Sequence, residues 1–180
     1  ALMDVPNEEA MNAIHYFKSQ NIETTMITGD AKLTGEAVGR LVGVDQVFAN
    51  VLPEEKSAIV DQLKREVGMT GMVGDGINDA PALVNADIGV AMGDGTDIAI
   101  DVADVVVMKN DLSKLGYAHR VSKRLNKIVQ QNIIFSMLVV ATLIILNFLG
   151  IANIAFSVLI HEGSTLVVIF NGLRLLVNTK

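Results

Sequence analysis

Apolar and polar residues along this chain follow two regimes. Up to about residue 108 they alternate over short stretches, as the buried and solvated faces of small elements do, and beyond Ile128 the alternation stops. Residues 7–20 read as a helix, and Glu23 to Ile27 as a short β-branched strand ending in Thr28-Gly29-Asp30. A helix over about 31–42 and a strand at 46–51 come next. Pro53 opens a helix running to about Val67, with Glu54 and Glu55 at its positive end. Met69 to Val73 is a strand that runs into Gly74-Asp75-Gly76. A short helix over 78–86, a strand at 87–92, a turn through Gly93-Asp94-Gly95, a helical turn and a last strand at 104–108 complete the series. Strands alternating with helices predict an α/β fold, a parallel sheet with helices on both faces and right-handed crossovers. No internal repeat and no low-complexity tract is visible.

The second regime is a run without any Asp, Glu, Lys or Arg from Ile128 to His161, 34 positions dense in Ile, Leu, Val and Phe. One helix of that length would reach about 51 Å, well beyond a hydrocarbon core of about 30 Å. Asn147, Gly150 and Asn153 supply a turn, dividing the region into two membrane helices over about 128–149 and 151–173. A buried hairpin in a soluble protein is the plainer alternative, but charge-free runs this long are rare there. Arg120, Lys123, Arg124 and Lys127 precede the first span, and Arg174 and Lys180 follow the second, so both ends are expected on the cytoplasmic side. The four leading cations share one face of a helix that starts near Asp111. That face reads as a solvated stalk or as a contact for anionic membrane lipid. The expected organisation is an α/β domain over 1–110, a stalk helix over 111–127, two spans within 128–176 and a tail at 177–180.

Composition sharpens this division. The 180 residues are 51% hydrophobic and 19% charged, which excludes a disordered chain. The net charge of −6 separates into −11 up to Asn110 and +5 beyond it. No nucleic-acid partner is expected from such an acidic soluble part. Without a single Cys, disulfides, zinc–cysteine sites and thiol nucleophiles are excluded within these residues. The stretch Ala1 to Pro6 has neither a basic nor an apolar region of the signal-peptide kind, and the chain is expected to begin within a longer polypeptide.

Ligands of parallel sheets bind beyond the carboxyl ends of the strands. Two polar motifs fall there: Thr28-Gly29-Asp30 and Gly74-Asp75-Gly76-Ile77-Asn78-Asp79. Asp75 and Asp79 suit a hard cation, and Mg²⁺ needs only one or two carboxylates when waters and phosphate oxygens complete its octahedron. Gly74 and Gly76 are expected to let the backbone bend tightly and approach a ligand. Asn78 offers an amide to a phosphate oxygen, Thr28 a hydroxyl and a backbone N–H, and Lys56 a point charge. Together they have the character of a phosphoryl-transfer site, where positioning and charge stabilisation do most of the catalysis. No G-x-x-x-x-G-K-[ST] string exists, and neither Gly74-x-Gly76 nor Gly93-x-Gly95 completes a dinucleotide fingerprint. Gly93-Asp94-Gly95 reads as turn chemistry alone.

Thr28-Gly29-Asp30, Pro53-Glu54-Glu55-Lys56 and Gly74-Asp75-Gly76-Ile77-Asn78-Asp79-Ala80-Pro81-Ala82-Leu83 resemble the second half of the phosphorylation domain of P-type ATPases. The resemblance implies a partial haloacid-dehalogenase-like (Rossmann-like) fold, followed by a helical stalk and a transmembrane hairpin. It also implies Mg²⁺ on Asp75 and Asp79, support of the phosphate site by Asn78 and Asp79, contact of Lys56 with the phosphoryl group, and binding of phosphate or nucleotide by Thr28, Gly29 and Asp30. ATP would be the substrate of the whole pump. The family's phosphorylated aspartate lies in Asp-Lys-Thr-Gly-Thr, a string absent here, so these residues alone are expected not to turn over ATP and to need the preceding part of the pump.

The second span holds His161-Glu162-Gly163-Ser164-Thr165. Polar groups inside a membrane are costly and mark function. His161 and Thr165 share a helical face, with Glu162 about 100° round it. Imidazole with carboxylate suits borderline divalent ions such as Zn²⁺, Co²⁺ or Fe²⁺; a hydrated pair that merely anchors the helix is the plainer alternative. The string resembles the His-Glu-Gly-Gly-Thr of the cobalt/zinc-type subgroup of heavy-metal (type IB) pumps, with Ser164 in place of the second Gly. Export of a divalent heavy metal (Zn, Co, Cd or Fe) across the plasma membrane is the function this implies. A membrane-anchored haloacid-dehalogenase-type phosphatase, which would need an Asp-x-Asp nucleophile upstream, and a non-catalytic truncated module are the readings from other classes.

Overall fold

The computed structural model describes residues 8–108 and 111–177. The N-terminal stretch read for a signal peptide, the junction at Asn110 and the tail beyond Val177 lie outside them. The chain divides into two compact units, Ala1–Gly116 and Tyr117–Lys180.

The first unit follows the expected alternation: α1 (Glu8–Ser19), β1 (Thr25–Ile27), α2 (Lys32–Val42), β2 (Gln46–Phe48), α3 (Pro53–Val67), β3 (Gly71–Gly74), α4 (Ala80–Asn85), β4 (Ile88–Met92), α5 (Asp97–Val102) and β5 (Val105–Val107). All strand pairing is parallel, but it forms two sheets where the alternation predicts one, β1-β2 and β3-β4-β5. Among the described residues no strand joins β1 to β3, so each keeps one edge outside the ladders. The core lies around β4, the central strand of the larger sheet. On one face Ala91 packs with Leu83 of α4 and Ala99 of α5, and on the other Val90 and Met92 meet Val107, Leu112 and Leu115. The period-two alternation of the strand thus places helices on both sides of it.

One device recurs at the amino ends of the strands. Asp45, the residue before β2, accepts the N–H and the hydroxyl of Thr24, the residue before β1, at 2.9 and 2.8 Å. Asp87 accepts the Thr70 N–H at 2.8 Å, and Asp104 that of Gly89 at 2.8 Å. Each aspartate returns its own N–H to the partner's carbonyl. Each clamp sits one step before the paired register begins, so it holds the strands from slipping. Lysines reinforce the first two from the ends of the preceding helices. Lys18 bonds Asp45 and the Gly43 carbonyl, and Lys64 bonds Asp87 and the Asn85 carbonyl. The spacing Lys-x₅-Thr followed by a distant Asp is therefore an internal repeat after all, too sparse to see in the sequence.

In the second unit, α6 (Ser113–Phe148) is one continuous helix of 36 residues and α7 (Ile154–Val177) one of 24. Both are long and apolar enough to cross a membrane. Gly150 turns the chain, and the Asn153 carboxamide accepts the Phe156 N–H at 2.8 Å to start α7. At the other end of the hairpin Asn171 donates to the Asn132 carboxamide at 2.8 Å, Arg174 donates to the Asn171 oxygen at 2.8 Å, and Arg124 donates to the Arg174 carbonyl at 2.9 Å. Hydrogen bonds of this kind between apolar helices contribute about 0.5–1.5 kcal/mol each.

Candidate functional site

The site is built at the carboxyl end of β3. A Cβ on Gly74 would lie 2.6 Å from the Asp79 Cβ and 3.1 Å from its Oδ2, so only glycine lets Asp79 fold back beneath the loop. Asp79 closes a single 3₁₀ turn, Ile77–Asp79, and is buried. Its Oδ2 accepts the N–H groups of Asp75 and Gly76, both at 3.4 Å, while its Oδ1 accepts Lys56 Nζ at 2.6 Å. The two side chains of that ion pair are 17% and 10% exposed, so water screens it little. Lys56 reaches Asp79 from the first turn of α3, whose start is set by Pro53 and by the Glu55 carboxylate on the Leu52 N–H at 2.9 Å. Gly76 differs from the expectation: it is extended, φ −110°, and a Cβ there would find its nearest atom at 3.8 Å. The tight approach belongs to Gly74 alone.

Asp75 and Asn78 are exposed, and among the described residues neither side chain has a hydrogen-bond partner. A carboxylate and an amide at the mouth of the sheet are thus left for a ligand. The Asp79 carboxylate meanwhile holds Lys56 and the loop.

A second loop supports the first. A Cβ on Gly95 would meet the Asp75 carbonyl oxygen at 2.6 Å, and the Thr96 N–H donates to that oxygen at 2.8 Å. Gly93-Asp94-Gly95 is therefore both a turn and a buttress for Asp75. The sequence holds the signal for it: β3 and β4 both end in Gly-containing Asp loops, and ends of adjacent parallel strands lie side by side.

At the end of β1 the Thr28 hydroxyl donates to Asp30 at 2.9 Å, and the Asp30 N–H donates back to it at 3.1 Å. The Thr28 N–H, read from sequence as open to a phosphate, is taken by the Phe48 carbonyl at 2.9 Å, because the β-ladder runs one residue further than the strand assignment. The Val51 N–H bonds the Thr28 carbonyl at 3.1 Å and the Asn50 N–H bonds that of Asp30 at 2.8 Å. The entry to α3 thus holds the Thr28-Gly29-Asp30 loop, and its first turn carries Lys56 to Asp79.

In the second unit the His161 carbonyl accepts the Ser164 and Thr165 hydroxyls at 2.6 and 3.3 Å. His161 lines a cavity of about 480 Å³ against α6 with Val140, Leu143, Ile144, Asn147 and Phe148. The depression is open and His161 is itself exposed, as are Glu162 and Thr165, which do not line it. Among the described residues no three His, Asp or Glu side chains come together to hold a metal ion.

A family model described as haloacid dehalogenase-like hydrolase matches residues 1–87. The zinc-transporting ATPase of Bacillus subtilis (strain 168) is 48% identical over 176 residues, 98% of this chain and 28% of that protein. The cadmium, zinc and cobalt-transporting ATPase of the same organism is 43% identical over 97% of this chain and 26% of its own length. A crystal structure of a zinc-transporting PIB-type ATPase in its E2·Pi state superposes with a TM-score of 0.90 at 33% identity, over 97% of this chain and 28% of that one. The chain thus spans little more than a quarter of the length of each of these three relatives.

Proposed function

By sequence and fold the chain is a segment of the heavy-metal (type IB) P-type ATPases, and from that premise we propose that it supplies the Mg²⁺- and phosphate-binding half of the phosphorylation domain and two membrane helices of an ATP-driven exporter of divalent metal ions. The observation that carries this is the 48% identity to a zinc-transporting ATPase over 98% of the chain, through both units. Residues 1–110 would form the phosphorylation-domain part, 111–127 the stalk and 128–176 the hairpin in a plasma membrane, with the phosphorylation-domain part and the C-terminus cytoplasmic.

The residues present fit Mg²⁺. Asp75 offers one exposed carboxylate, enough for an ion that keeps waters and phosphate oxygens as its other ligands. Bound there, the ion neutralises charge on the phosphoryl oxygens. Asp79 acts on the site through others: it fixes the Lys56 ammonium, which balances the charge of a transferring phosphoryl group, and it shapes the loop that presents Asp75. Asn78 donates its amide to a phosphate oxygen. Thr28, held by Asp30, presents its hydroxyl oxygen at the neighbouring loop. The nucleophilic aspartate and the nucleotide site come from other parts of the pump. His161, Glu162 and Thr165 bind the transported ion, an imidazole and carboxylate suited to Zn²⁺, Co²⁺ or Fe²⁺.

The test is metal-stimulated ATP hydrolysis by the whole pump. Glu162→Gln and His161→Ala should each abolish it together with metal tolerance of the host cell. Normal activity in both variants would overturn the reading.

A further inference from the structure

The cavity beside His161 contains one further polar residue, Asn147 of α6. Its carboxamide nitrogen donates to the Leu143 carbonyl at 2.9 Å and to the Ser157 hydroxyl at 3.1 Å. A backbone carbonyl only accepts, so the Leu143 bond settles which end of the amide is nitrogen. Both donor positions of Asn147 are then engaged, one within α6 and one across to α7. Its Oδ1 has no hydrogen-bond donor among the described residues. What Asn147 has left for a guest in this cavity is a fixed carbonyl oxygen.

The rest of the wall, Val140, Leu143, Ile144 and Phe148, is apolar. Asn147 and His161 are both exposed on this open groove, so the free oxygen is accessible to an ion, and in hydrocarbon an amide oxygen left without a partner would be costly. The groove thus offers an imidazole on one helix and an amide oxygen on the other, and little else that is polar. This set suits a divalent cation that accepts mixed nitrogen and oxygen ligands, and disfavours a soft one.

We infer that Asn147 is a further ligand of the transported divalent cation on its path, its Oδ1 acting with the His161 imidazole in the groove between α6 and α7 at a subsite that Glu162 and Thr165 do not line, and that it biases the pump toward borderline ions over softer ones. The inference rests on the reading of His161 as an ion ligand. Ser157 is the positioning residue: it holds the carboxamide so that the oxygen is turned away from the hairpin's own hydrogen bonds.

Metal-stimulated ATPase activity of the complete pump, titrated separately with Zn²⁺, Co²⁺ and Cd²⁺, tests this. Asn147→Leu should raise the half-saturating Zn²⁺ and Co²⁺ concentrations about tenfold, the effect expected for losing a ligand or its support, with less change for Cd²⁺ and for the rate at saturating metal. Asn147→Asp, which puts an anionic oxygen in the same place, should lower those concentrations below the wild-type values. A purely structural role would instead lower the saturating rate for all three metals alike, with half-saturation unchanged in both variants, and that result overturns the inference. If Asn147→Leu fails to reach the membrane, Asn147→Asp alone decides: unchanged half-saturation for every metal overturns it. His161→Ala separates the two readings. Loss of metal response in His161→Ala with no effect at Asn147 sinks only the Asn147 role, while an unaffected His161→Ala sinks the ion site itself.

Discussion

At the scale of single residues, the Asp75 loop depends on contacts more than on residue type. Gly74 and Gly76 look alike in the sequence, yet a side chain at Gly74 would collide with Asp79 and one at Gly76 would not. Gly74→Ala should therefore abolish ATP-dependent phosphorylation of the whole pump, while Gly76→Ala should retain it within a few-fold. The assay is formation of the acid-stable phosphoenzyme; equal losses would contradict the geometry. The buried Lys56–Asp79 pair makes a second case. Removing one partner leaves the other charge buried and unpaired, which costs about 3 kcal/mol. Lys56→Met should thus lose activity and also loosen α4 and the Asp75 loop, seen as faster amide exchange at Asp75 and Gly76, whose N–H groups Asp79 holds. The double variant Lys56→Met, Asp79→Leu should recover part of the protection and none of the activity.

At the scale of elements, the parallel pairs are fastened by aspartates at their amino ends. Lys18, with the Thr24 N–H and hydroxyl, holds the Asp45 carboxyl down to about 2. The Thr70 N–H and Lys64 hold Asp87 low in the same sense. A depressed carboxylate stabilises the fold fully above its ordinary value, about 3.8, and loses that contribution as pH falls toward its folded value. Protection of the β1-β2 amides should accordingly decline from about pH 4 toward pH 2. Asp45→Asn should lower that protection at neutral pH and remove its dependence on acid, as amide exchange against pH will measure. In the hairpin the Asn132–Asn171 bond does the fastening. Asn171→Leu should weaken helix pairing by about 0.5–1.5 kcal/mol, read as a lower unfolding temperature of the detergent-solubilised pump.

At the scale of the whole molecule, these residues contribute no Cys of their own, so their orientation can be read by placing single thiols in them. A single cysteine at Asn153, in the turn between α6 and α7, should react with an impermeant thiol reagent from outside intact cells in a pump otherwise free of cysteine, and one at Lys114 should react only after permeabilisation. The reverse pattern would overturn the arrangement drawn from the flanking cations. Much of this architecture was legible in the residues. Strand and helix order followed from hydrophobic period, because burial on a strand or helix face is a local matter. The two long apolar helices followed from a charge-free run too long for one helix across a hydrocarbon core of about 30 Å, and Asp75, Lys56 and His161 stood out because a carboxylate, an ammonium and an imidazole carry chemistry on their own. What each residue is free to do was decided only by the fold. Asp79 is tied to Lys56, the Thr28 N–H to Phe48, and the Asn147 amide to Ser157, since a hydrogen-bonding group's capacity depends on partners that lie 20 or more residues away or across a helix pair. The sequence by itself determined which elements form and which chemistry they carry; tertiary structure decided which donors and acceptors remain unspent, because satisfying buried polar groups is a property of the packed molecule and not of any segment.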